Sequence, residues 1–354
     1  MKTEKYIGNL YGMYIENTCS FNITATEKAC NIGKIGEIFA EKPVSFTDTE
    51  TAQVAGYWEN GDLHFMHIPM NKICKKEPYA LKMDVFSRNT GILESDVMLG
   101  KGAVLVGCGS VGSLVALELA RAGVGRFMLI DNDVLGYHNI CRHQCGILDV
   151  GKYKVDAVKE RILQINPTAK IITQNRIIQE VSLDVLKDFC DENVIVIGGA
   201  DNREGDLYAN KIAKEAGMPL MSIGCWERAF AGEIFYCLPQ GMPDYSDFMV
   251  AIGDTSGRVN QNRKFYTNEE DLAKAAFEPG ISADINFVTI IAVKMAIDIL
   301  NISNPHYTTR VIDGLSQYTL ICNTNKTAVG GEGAELFSYP LQVTTSIEVP
   351  YADE

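Results

Sequence analysis

The sequence predicts an α/β protein built on a doubly wound, largely parallel sheet, with a small β-containing module at its N-terminal end. Three observations support this prediction. From Lys101 onward, short apolar runs alternate with segments of helical periodicity, as in βαβ units. A glycine loop that begins at Gly107 follows the first of these runs and opens a helix, as in Rossmann-like folds. Before about residue 85 the runs are of β type and are separated by turn signals.

The clearest element of the N-terminal module is a hairpin. Two β-type runs, Gly56 to Trp58 and Leu63 to Phe65, flank Glu59-Asn60-Gly61-Asp62, and the Asn-Gly pair suits a tight turn. We therefore predict a small β-containing module over residues 1–85, to which the sequence assigns no role.

The main domain is predicted over residues 86–325. Strands are expected at 103–106, 127–130, 171–173, 194–197 and 220–223. Helical patterns lie between them, at about 111–122, 153–165, 181–190 and 205–216. Strands that alternate with helices are joined by crossover connections and therefore pair in parallel.

The pattern becomes less regular after Phe230. An apolar run ends at Cys237, and a polar, glycine-rich crossover loop is expected over about 238–283. Within that loop, Thr267-Asn268-Glu269-Glu270 has the pattern of a capping box and predicts a short helix. A long helix is expected near Asp284 to Leu300, and the tail, 326–354, is expected to end in an edge strand.

The composition is that of a globular protein, with 46% hydrophobic and 22% charged residues among 354. The net charge of −13 disfavours nucleic acids and anionic membranes as partners, because both are polyanions. The chain begins without a signal-peptide apolar region, and its strongest late apolar stretch contains Lys294 and Asp298, so we expect a cytoplasmic protein. Ten cysteines without any CxxC pair are expected to be free thiols.

The glycine loop reads Gly107-Cys108-Gly109-Ser110-Val111-Gly112. Its glycines permit a tight turn and a close backbone approach, and the N-terminus of the following helix offers N–H groups to a phosphate. Asp131 ends the next strand, where a carboxylate can accept hydrogen bonds from ribose hydroxyls. These features predict a nucleotide without identifying it. A ligand-free turn and a dehydrogenase both stay open at this point.

Two cations, Arg142 and Lys154, follow the strand that ends at Asp131. Hydride transfer requires neither of them. A reaction that expels pyrophosphate does require fixed cations, because negative charge accumulates on the departing phosphates. Each residue also has an ordinary interpretation, Lys154 as a solvated helix residue and Arg142 as a surface ion-pair partner.

Several motifs together resemble the ThiF/MoeB/HesA superfamily, the adenylating domain of ubiquitin-activating enzymes. The resemblance covers about residues 86–237 and, more weakly, the chain to residue 300. The matching motifs are Gly107-Cys108-Gly109-Ser110-Val111-Gly112, Asp131-Asn132-Asp133, Asn139-Ile140-Cys141-Arg142, Gly151 through Lys154, Ile165-Asn166-Pro167, and Ala200-Asp201-Asn202 with Asn210.

The resemblance implies ATP and Mg²⁺ as cofactors. It places Asp131 on the ribose and Asn139, Arg142 and Lys154 on the phosphates. The other residues that it places at the nucleotide are Gly107, Gly109, Ser110, Gly112 and Asn202.

The resemblance also implies that Asp201 lies near Mg²⁺. The chemistry of the position agrees, since a hard cation prefers carboxylate oxygen and ligands collect at the open end of a parallel sheet. The alternative role of Asp201 is a helix N-cap. The segment Val85 to Gly91 resembles the family's stretch before the first strand, whose arginine reaches the ATP of the partner subunit. Arg88 then acts in trans within a homodimer, with an anchor for a linker as its alternative. Arg88, Arg142, Lys154 and Asp201 are the predicted catalytic residues.

The chain departs from the family in three ways. Many members bind structural zinc through two CxxC pairs, where this chain has Gly241 to Phe248 and, later, only Cys322, so we expect no zinc site. Asp206 stands where members often carry arginine, although Asn210 is retained. No cysteine occurs between Cys237 and Cys322, the region in which thioester-forming members carry their nucleophile.

Without that cysteine, three fates are open to an acyl-adenylate: release to a partner, direct transfer to an amine, or an oxyester on a hydroxyl. Thr255 and Ser256 are the hydroxyl candidates, and an ordinary polar loop is the alternative for this segment. Cys225 and Cys237 each follow an apolar run and are expected to be buried rather than nucleophilic.

The expected activity is ATP-dependent adenylation of the C-terminal carboxylate of a ubiquitin-like protein that ends in Gly, in a bacterial ubiquitin-like conjugation pathway. The alternatives are a sulfur carrier or a modified peptide as the substrate and, as other classes, a non-catalytic scaffold subunit or an oxidoreductase. The expected partners are the ubiquitin-like protein, a conjugating-enzyme-like protein and a second copy of the chain.

Overall fold

The computed structural model describes residues 5–15, 20–24, 34–45, 53–77, 81–200, 203–239, 241–253, 279–345 and 349–352. The chain divides into two compact units. The first contains Met1–Arg88 and Glu160–Thr168, and the second contains Asn89–Lys159 and Ala169–Glu354.

The first unit contains a six-stranded sheet with the strand order β2-β1-β3-β4-β5-β6. Within this sheet, β3 and β4 form the only parallel pair among the described strands, and Leu10, Ile38 and Val54 are buried in the core of the unit. The strands are β1 (Gly8–Ile15), β2 (Ser20–Thr24), β3 (Lys34–Phe39), β4 (Val54–Glu59), β5 (Asp62–His67) and β6 (Lys72–Cys74).

The predicted hairpin of this unit is confirmed. Strands β4 and β5 pair antiparallel, and Glu59 is opposite Asp62. Asn60 and Gly61 adopt φ values of 53° and 88°, the left-handed conformation that a two-residue turn of this kind requires. The Asn-Gly pair is therefore needed for the turn geometry.

The second unit contains an eight-stranded sheet with the order β14-β13-β12-β11-β10-β7-β8-β9. Strands β7 to β11 form a parallel half, and β11 to β14 pair antiparallel. The strands are β7 (Gly102–Val106), β8 (Arg126–Ile130), β9 (Lys170–Gln174), β10 (Val194–Gly198), β11 (Leu220–Cys225), β12 (Ala231–Cys237), β13 (Tyr318–Cys322) and β14 (Gln342–Thr345). All five predicted parallel strands are present, and the doubly wound fold class is confirmed.

Helices connect the strands of the second unit. Helix α2 is buried on most of its surface, because it packs between the sheet and α7. The helices are α1 (Ser95–Gly100), α2 (Ser110–Arg121), α3 (Lys154–Ile165), α4 (Leu183–Phe189), α5 (Arg203–Ala216), α6 (Tyr245–Ile252), α7 (Ser282–Asn301) and α8 (Thr327–Gly330). Across the described ranges, no helix combines the length and the apolar character needed to cross a membrane.

Several described elements have no counterpart in the sequence prediction, among them the short helices α1 and α8, helix α6 and strand β13. Helix α6 lies within the stretch that was expected to be a loop, and β13 inserts between β12 and the predicted edge strand β14. Asp244 caps α6 by accepting from the N–H groups of Ser246 and Asp247, while the Asp247 side chain accepts from the Asp244 N–H. This capping box stabilises α6. The glycines on either side of the helix are typical of loops, and for this reason the sequence predicts a loop there. The helix predicted from Thr267 lies outside the described residues.

Candidate functional site

The candidate site lies where the strand order of the second unit changes direction. In the sheet, β8 and β9 lie on one side of β7, and β10 and β11 lie on its other side. Loops that leave the carboxyl ends of two such strands diverge and leave a crevice for a ligand. The glycine loop leaves β7 there. Gly107 has a φ of +94°, and a Cβ on it would lie 2.9 Å from the Gly199 carbonyl oxygen. The glycine loop is therefore in close contact with the segment that follows β10.

The remaining glycines of the loop meet very different surroundings. A Cβ on Gly112 would lie 1.9 Å from the Gly107 carbonyl oxygen, so helix α2 and the loop touch at this point. A Cβ on Gly109 would meet no atom within 4 Å in the described part of the chain. Gly109 is the N-cap of α2, and the N–H groups of the first helical turn have no acceptor within the helix. Open space and available donors therefore coincide at Gly109.

Asp131 follows β8 and holds the glycine loop in place. Its Oδ2 accepts from the Cys108 N–H at 2.7 Å, and its Oδ1 accepts from the Asp133 N–H at 2.8 Å. Burial raises the pKa of Asp131, while the charge of Lys154 and the two N–H groups act to lower it. A carboxylate oxygen accepts more than one hydrogen bond, so Asp131 retains capacity for a hydroxyl group.

Lys154 opens helix α3 beside this carboxylate. Its Nζ lies 2.6 Å from Asp133 Oδ2, and its backbone N–H donates to the Asp133 carbonyl. The Lys154 side chain is only 11% exposed, whereas that of Asp133 is 61% exposed. Lys154 is therefore not a solvated helix residue: its ammonium group is held close to the glycine loop, with a solvated carboxylate as its partner.

Asn139 and Arg142 lie in the turn between β8 and α3. The Asn139 side-chain oxygen accepts from the Gly136 N–H at 2.9 Å, and its carbonyl accepts from the N–H groups of Arg142 and His143. Asn139 thus organises the turn that carries Arg142, a partly exposed residue. The structure brings the predicted residues of the glycine loop, Asp131, Asn139, Arg142 and Lys154 to one end of the sheet.

His143 was part of the motif-bearing segment but received no role from the sequence. It is buried, its Nε2 lies 2.8 Å from the Cys108 carbonyl oxygen, and its Nδ1 accepts from the Cys145 N–H at 3.0 Å. Asp149 closes the next loop by accepting from the Gly146 N–H and pairing with Lys152. The contact between His143 and Cys108 joins residues distant in sequence, so no local pattern indicates it, whereas the contacts of Asp149 are local.

A buried polar network, also absent from the prediction, surrounds Glu233 on β12. Its carboxylate accepts from Arg203 at 3.2 Å, from the Trp226 indole N–H at 3.0 Å and from the Tyr318 hydroxyl at 2.8 Å. Arg203 is the first residue of α5 and also donates to the Tyr245 hydroxyl. The network fixes the start of α5 against the antiparallel half of the sheet.

Four predicted residues, Asp201, Asn202, Thr255 and Ser256, lie outside the described residues. Arg88 belongs to the first unit and is exposed. The roles of these five residues stay predictions.

Two further positions that the sequence analysis singled out are defined. Asp206, which stands where relatives often have arginine, is buried and accepts from the Ser222 hydroxyl. Asn210 holds the start of α6, since it donates to the Ser246 hydroxyl and accepts from the Tyr245 N–H.

The late cysteines are poorly suited to nucleophilic attack. Burial raises the pKa of Cys237 and of Cys322 to about 11, so their thiolate fractions near neutral pH are small. Cys225 and Cys237 are partly rather than fully buried. Over the described ranges, no group of three or more His, Cys, Asp or Glu side chains is arranged to hold a metal ion. The expectation that the chain has no zinc site stays a prediction.

The ThiF family matches residues 94–328 of the chain. The chain is 30% identical over 161 residues to the "Probable molybdopterin-synthase adenylyltransferase" of Porphyra purpurea, covering 44% of this chain and 40% of that protein. It is 35% identical over 141 residues to the "tRNA threonylcarbamoyladenosine dehydratase" of Bacillus subtilis (strain 168), covering 39% and 55%. It is 28% identical over 190 residues to the "Ubiquitin-like modifier-activating enzyme 5" of Bombyx mori, covering 49% and 46%. The chain thus spans less than two thirds of each of these relatives.

Among solved structures, the fold is similar to that of E. coli MccB in the crystal structure "E. coli MccB + ATP". The TM-score is 0.53 at 17% sequence identity, and the alignment covers 76% of this chain and 72% of that one. This similarity establishes the shared fold of the two proteins.

Proposed function

Because the chain belongs to the ThiF family, we propose that it is an ATP-dependent adenylyltransferase that activates the C-terminal carboxylate of a ubiquitin-like protein ending in Gly. One observation carries the proposal: a largely buried cation, Lys154, and a partly buried carboxylate, Asp131, flank a glycine loop at the point where the strand order changes direction. Hydride transfer releases no phosphate and does not require that cation, whereas a reaction that expels pyrophosphate does.

In the proposed ground state, ATP lies along the glycine loop. The open space at Gly109 admits the phosphates, and the first N–H groups of α2 donate to them. Asp131 accepts from the ribose hydroxyls. Lys154 moves from Asp133 to the phosphates, an exchange favoured because Asp133 is largely solvated and loses little when it is released.

In the proposed reaction, a carboxylate oxygen of the substrate attacks the α-phosphorus of ATP. The bond from that phosphorus to the bridging oxygen breaks, pyrophosphate leaves with the bonding electrons, and an acyl-adenylate forms. Arg142, Lys154 and Arg88 of the partner subunit stabilise the negative charge on the leaving group. Positioning and electrostatics supply most of the rate enhancement, as in other phosphorus-centred displacements.

Asp201 is the proposed protein ligand for Mg²⁺. Its carboxylate is the ligand type that Mg²⁺ prefers, and nucleotide-bound Mg²⁺ needs only one or two protein carboxylates beside the phosphates. When bound, the ion supplies positive charge to the phosphates. The surroundings of Asp201 lie outside the described residues, so its assignment rests on the family resemblance.

Isotope exchange tests the activity. Small Gly-ending proteins encoded beside this gene are incubated with the chain, ATP and radiolabelled pyrophosphate, and the label that enters ATP is counted. We expect exchange with the cognate protein and none with the same protein lacking its terminal Gly. Exchange driven by a short peptide, a sulfur carrier or tRNA instead would replace the proposed substrate. No exchange with any of them, with ATP still bound, would indicate a scaffold subunit.

A homodimer with Arg88 acting in trans is tested by mixing two inactive variants, Arg88→Ala and Asp201→Ala. Each mixed dimer then contains one site with both residues intact, so pyrophosphate exchange should return. Persistent inactivity of dimers shown to be mixed would remove Arg88 from the partner's site. Transfer to an oxyester on Thr255 or Ser256 is the further step to examine by mass spectrometry, with the Thr255→Val and Ser256→Ala variants as controls.

A further inference from the structure

A buried imidazole links the two segments of the candidate ATP site. The glycine loop follows β7, and the turn with Asn139 and Arg142 lies between β8 and α3. His143 hydrogen-bonds the Cys108 carbonyl in the first segment and the Cys145 N–H in the second. These segments are far apart in sequence, so the His143 side chain contributes directly to their relative position.

The hydrogen bonds determine which nitrogen of His143 carries the proton. The Cys145 N–H can only donate, so Nδ1 must be the acceptor. The proton of the neutral ring is therefore on Nε2, which donates to the Cys108 carbonyl. Burial and the charge of Lys154 lower the pKa of His143, against opposing effects of the Cys108 hydrogen bond and of Asp149. The ring is consequently neutral near neutral pH.

The orientation of one peptide group follows from this hydrogen bond. The carbonyl of Cys108 and the N–H of Gly109 belong to the same trans peptide unit and point in opposite directions. Because the carbonyl points at His143, the Gly109 N–H points away from it. No acceptor for this N–H is found in the described part of the chain, and the space at Gly109 is open.

The other side of Cys108 is fixed as well. Its N–H donates to Asp131 Oδ2, and the Gln144 N–H donates to the buried Ser113 hydroxyl of α2 at 3.3 Å. The N–H of Cys108 is thus held by the Asp131 carboxylate, and its carbonyl is held by the His143 ring. The loop is organised before any nucleotide arrives, which reduces the ordering that binding requires.

We propose that His143 is a positioning residue for ATP. Its neutral imidazole holds the Cys108 carbonyl so that the Gly109 N–H faces the phosphates. The same side chain keeps the turn that carries Arg142 in a fixed position relative to the glycine loop. This inference rests on the proposed function, since it concerns the same nucleotide site. His143 itself touches neither the phosphates nor the reacting carboxylate in this scheme.

The test compares His143→Leu with His143→Gln. Leucine removes both hydrogen bonds, whereas the Gln side-chain NH₂ group can replace the Nε2–H donor to the Cys108 carbonyl, the hydrogen bond on which the inference depends. We expect the ATP dissociation constant of His143→Leu to rise by about tenfold or more, and that of His143→Gln to stay within about threefold of the wild type. Equilibrium dialysis with labelled ATP measures both.

A control separates positioning from general destabilisation. Val293→Ala removes two methyl groups from α7, a helix that supplies none of the proposed nucleotide-binding residues, and should lower the melting temperature without changing ATP affinity. If His143→Leu fails to fold, ¹⁵N NMR of the wild-type imidazole still tests the inference, because it requires the neutral Nε2–H form at neutral pH.

The outcomes are distinct. A wild-type chain that binds no ATP contradicts the proposed function itself. Wild-type binding together with an unchanged constant in His143→Leu, failure of His143→Gln to retain affinity, or an Nδ1–H or doubly protonated ring by NMR overturns the role of His143 and leaves the proposed function intact.

Discussion

Gly109→Ala should separate ATP binding from folding. Gly109 has φ −75° and ψ −151°, an extended backbone with negative φ, so alanine at this position avoids the left-handed region. Its added methyl group would meet no atom within 4 Å. The folded chain therefore accommodates the alanine, but the methyl group occupies the space that the proposed phosphates need.

The magnitudes follow from these contacts. Alanine reduces the conformational freedom of the unfolded chain, which stabilises the folded variant by roughly 0.4–1 kcal/mol. Alanine is also a weaker N-cap than glycine, which costs a similar amount. The melting temperature should therefore change by less than about 4 °C. Displaced phosphates lose at least one charge-assisted hydrogen bond, worth about 1.5–3 kcal/mol. The ATP dissociation constant should therefore rise by roughly 10- to 150-fold.

Gly112→Ala is the matched contrast. Its Cβ would lie 1.9 Å from the Gly107 carbonyl oxygen, so α2 must shift by roughly 1.5 Å, and we expect a loss of more than about 2 kcal/mol of stability. Circular dichroism gives the melting temperatures, and equilibrium dialysis gives the ATP constants. ATP binding by Gly109→Ala within twofold of the wild type would refute the assignment of the glycine loop to the phosphates.

Three further outcomes are expected. Lys154→Met should lower pyrophosphate exchange by about 10²-fold or more, whereas Asp133→Asn, which removes only its largely exposed partner, should keep exchange within about threefold; equal losses would contradict the role of Lys154. Burial raises the pKa of Asp131 and Lys154 lowers it, so ATP affinity should decline as pH falls through that pKa, and Lys154→Met should move this decline to higher pH; an unmoved dialysis profile would count against the coupling. Burial acts to raise the pKa of Asp244, but hydrogen bonds from Lys214 and the start of α6 outweigh it and lower the value to about 2. Because the folded pKa is below the unfolded one, this stabilisation is present above about pH 4 and is lost toward pH 2. Asp244→Ala should thus cost about 1–2 kcal/mol in urea unfolding at neutral pH and less in acid, and a pH-independent difference would be inconsistent with this origin.

The fold of the second unit was predictable because its signals are local. Strands β7 and β10 are continuous apolar runs, the other parallel strands are shorter or interrupted runs that alternate with helices, and the glycine loop identifies the first crossover. Helix α6 was missed because Gly241 and Gly253 flank it, although Asp244 and Asp247 form a recognisable capping box in retrospect. Strand β13 pairs only with strands distant in sequence, which a local pattern does not reveal.

The candidate site was predictable where chemistry and spacing coincide. The glycine loop, Asp131 and Lys154 follow strand ends or open helices, so their convergence is a consequence of the topology. The Lys154 partner Asp133 and the link made by His143 depend on how the turn folds back onto the loop. Such contacts join residues without any fixed sequence spacing.

Transfer of label from ATP tests the central claim most directly. The chain and its Gly-ending substrate protein are incubated with ATP labelled at either the α- or the γ-phosphate, and the label retained on the protein after rapid acid quenching is measured. Adenylation predicts label from the α-position only, and its loss when the substrate lacks its terminal Gly. Label from the γ-position, or none from the α-position while ATP is bound, would contradict the account.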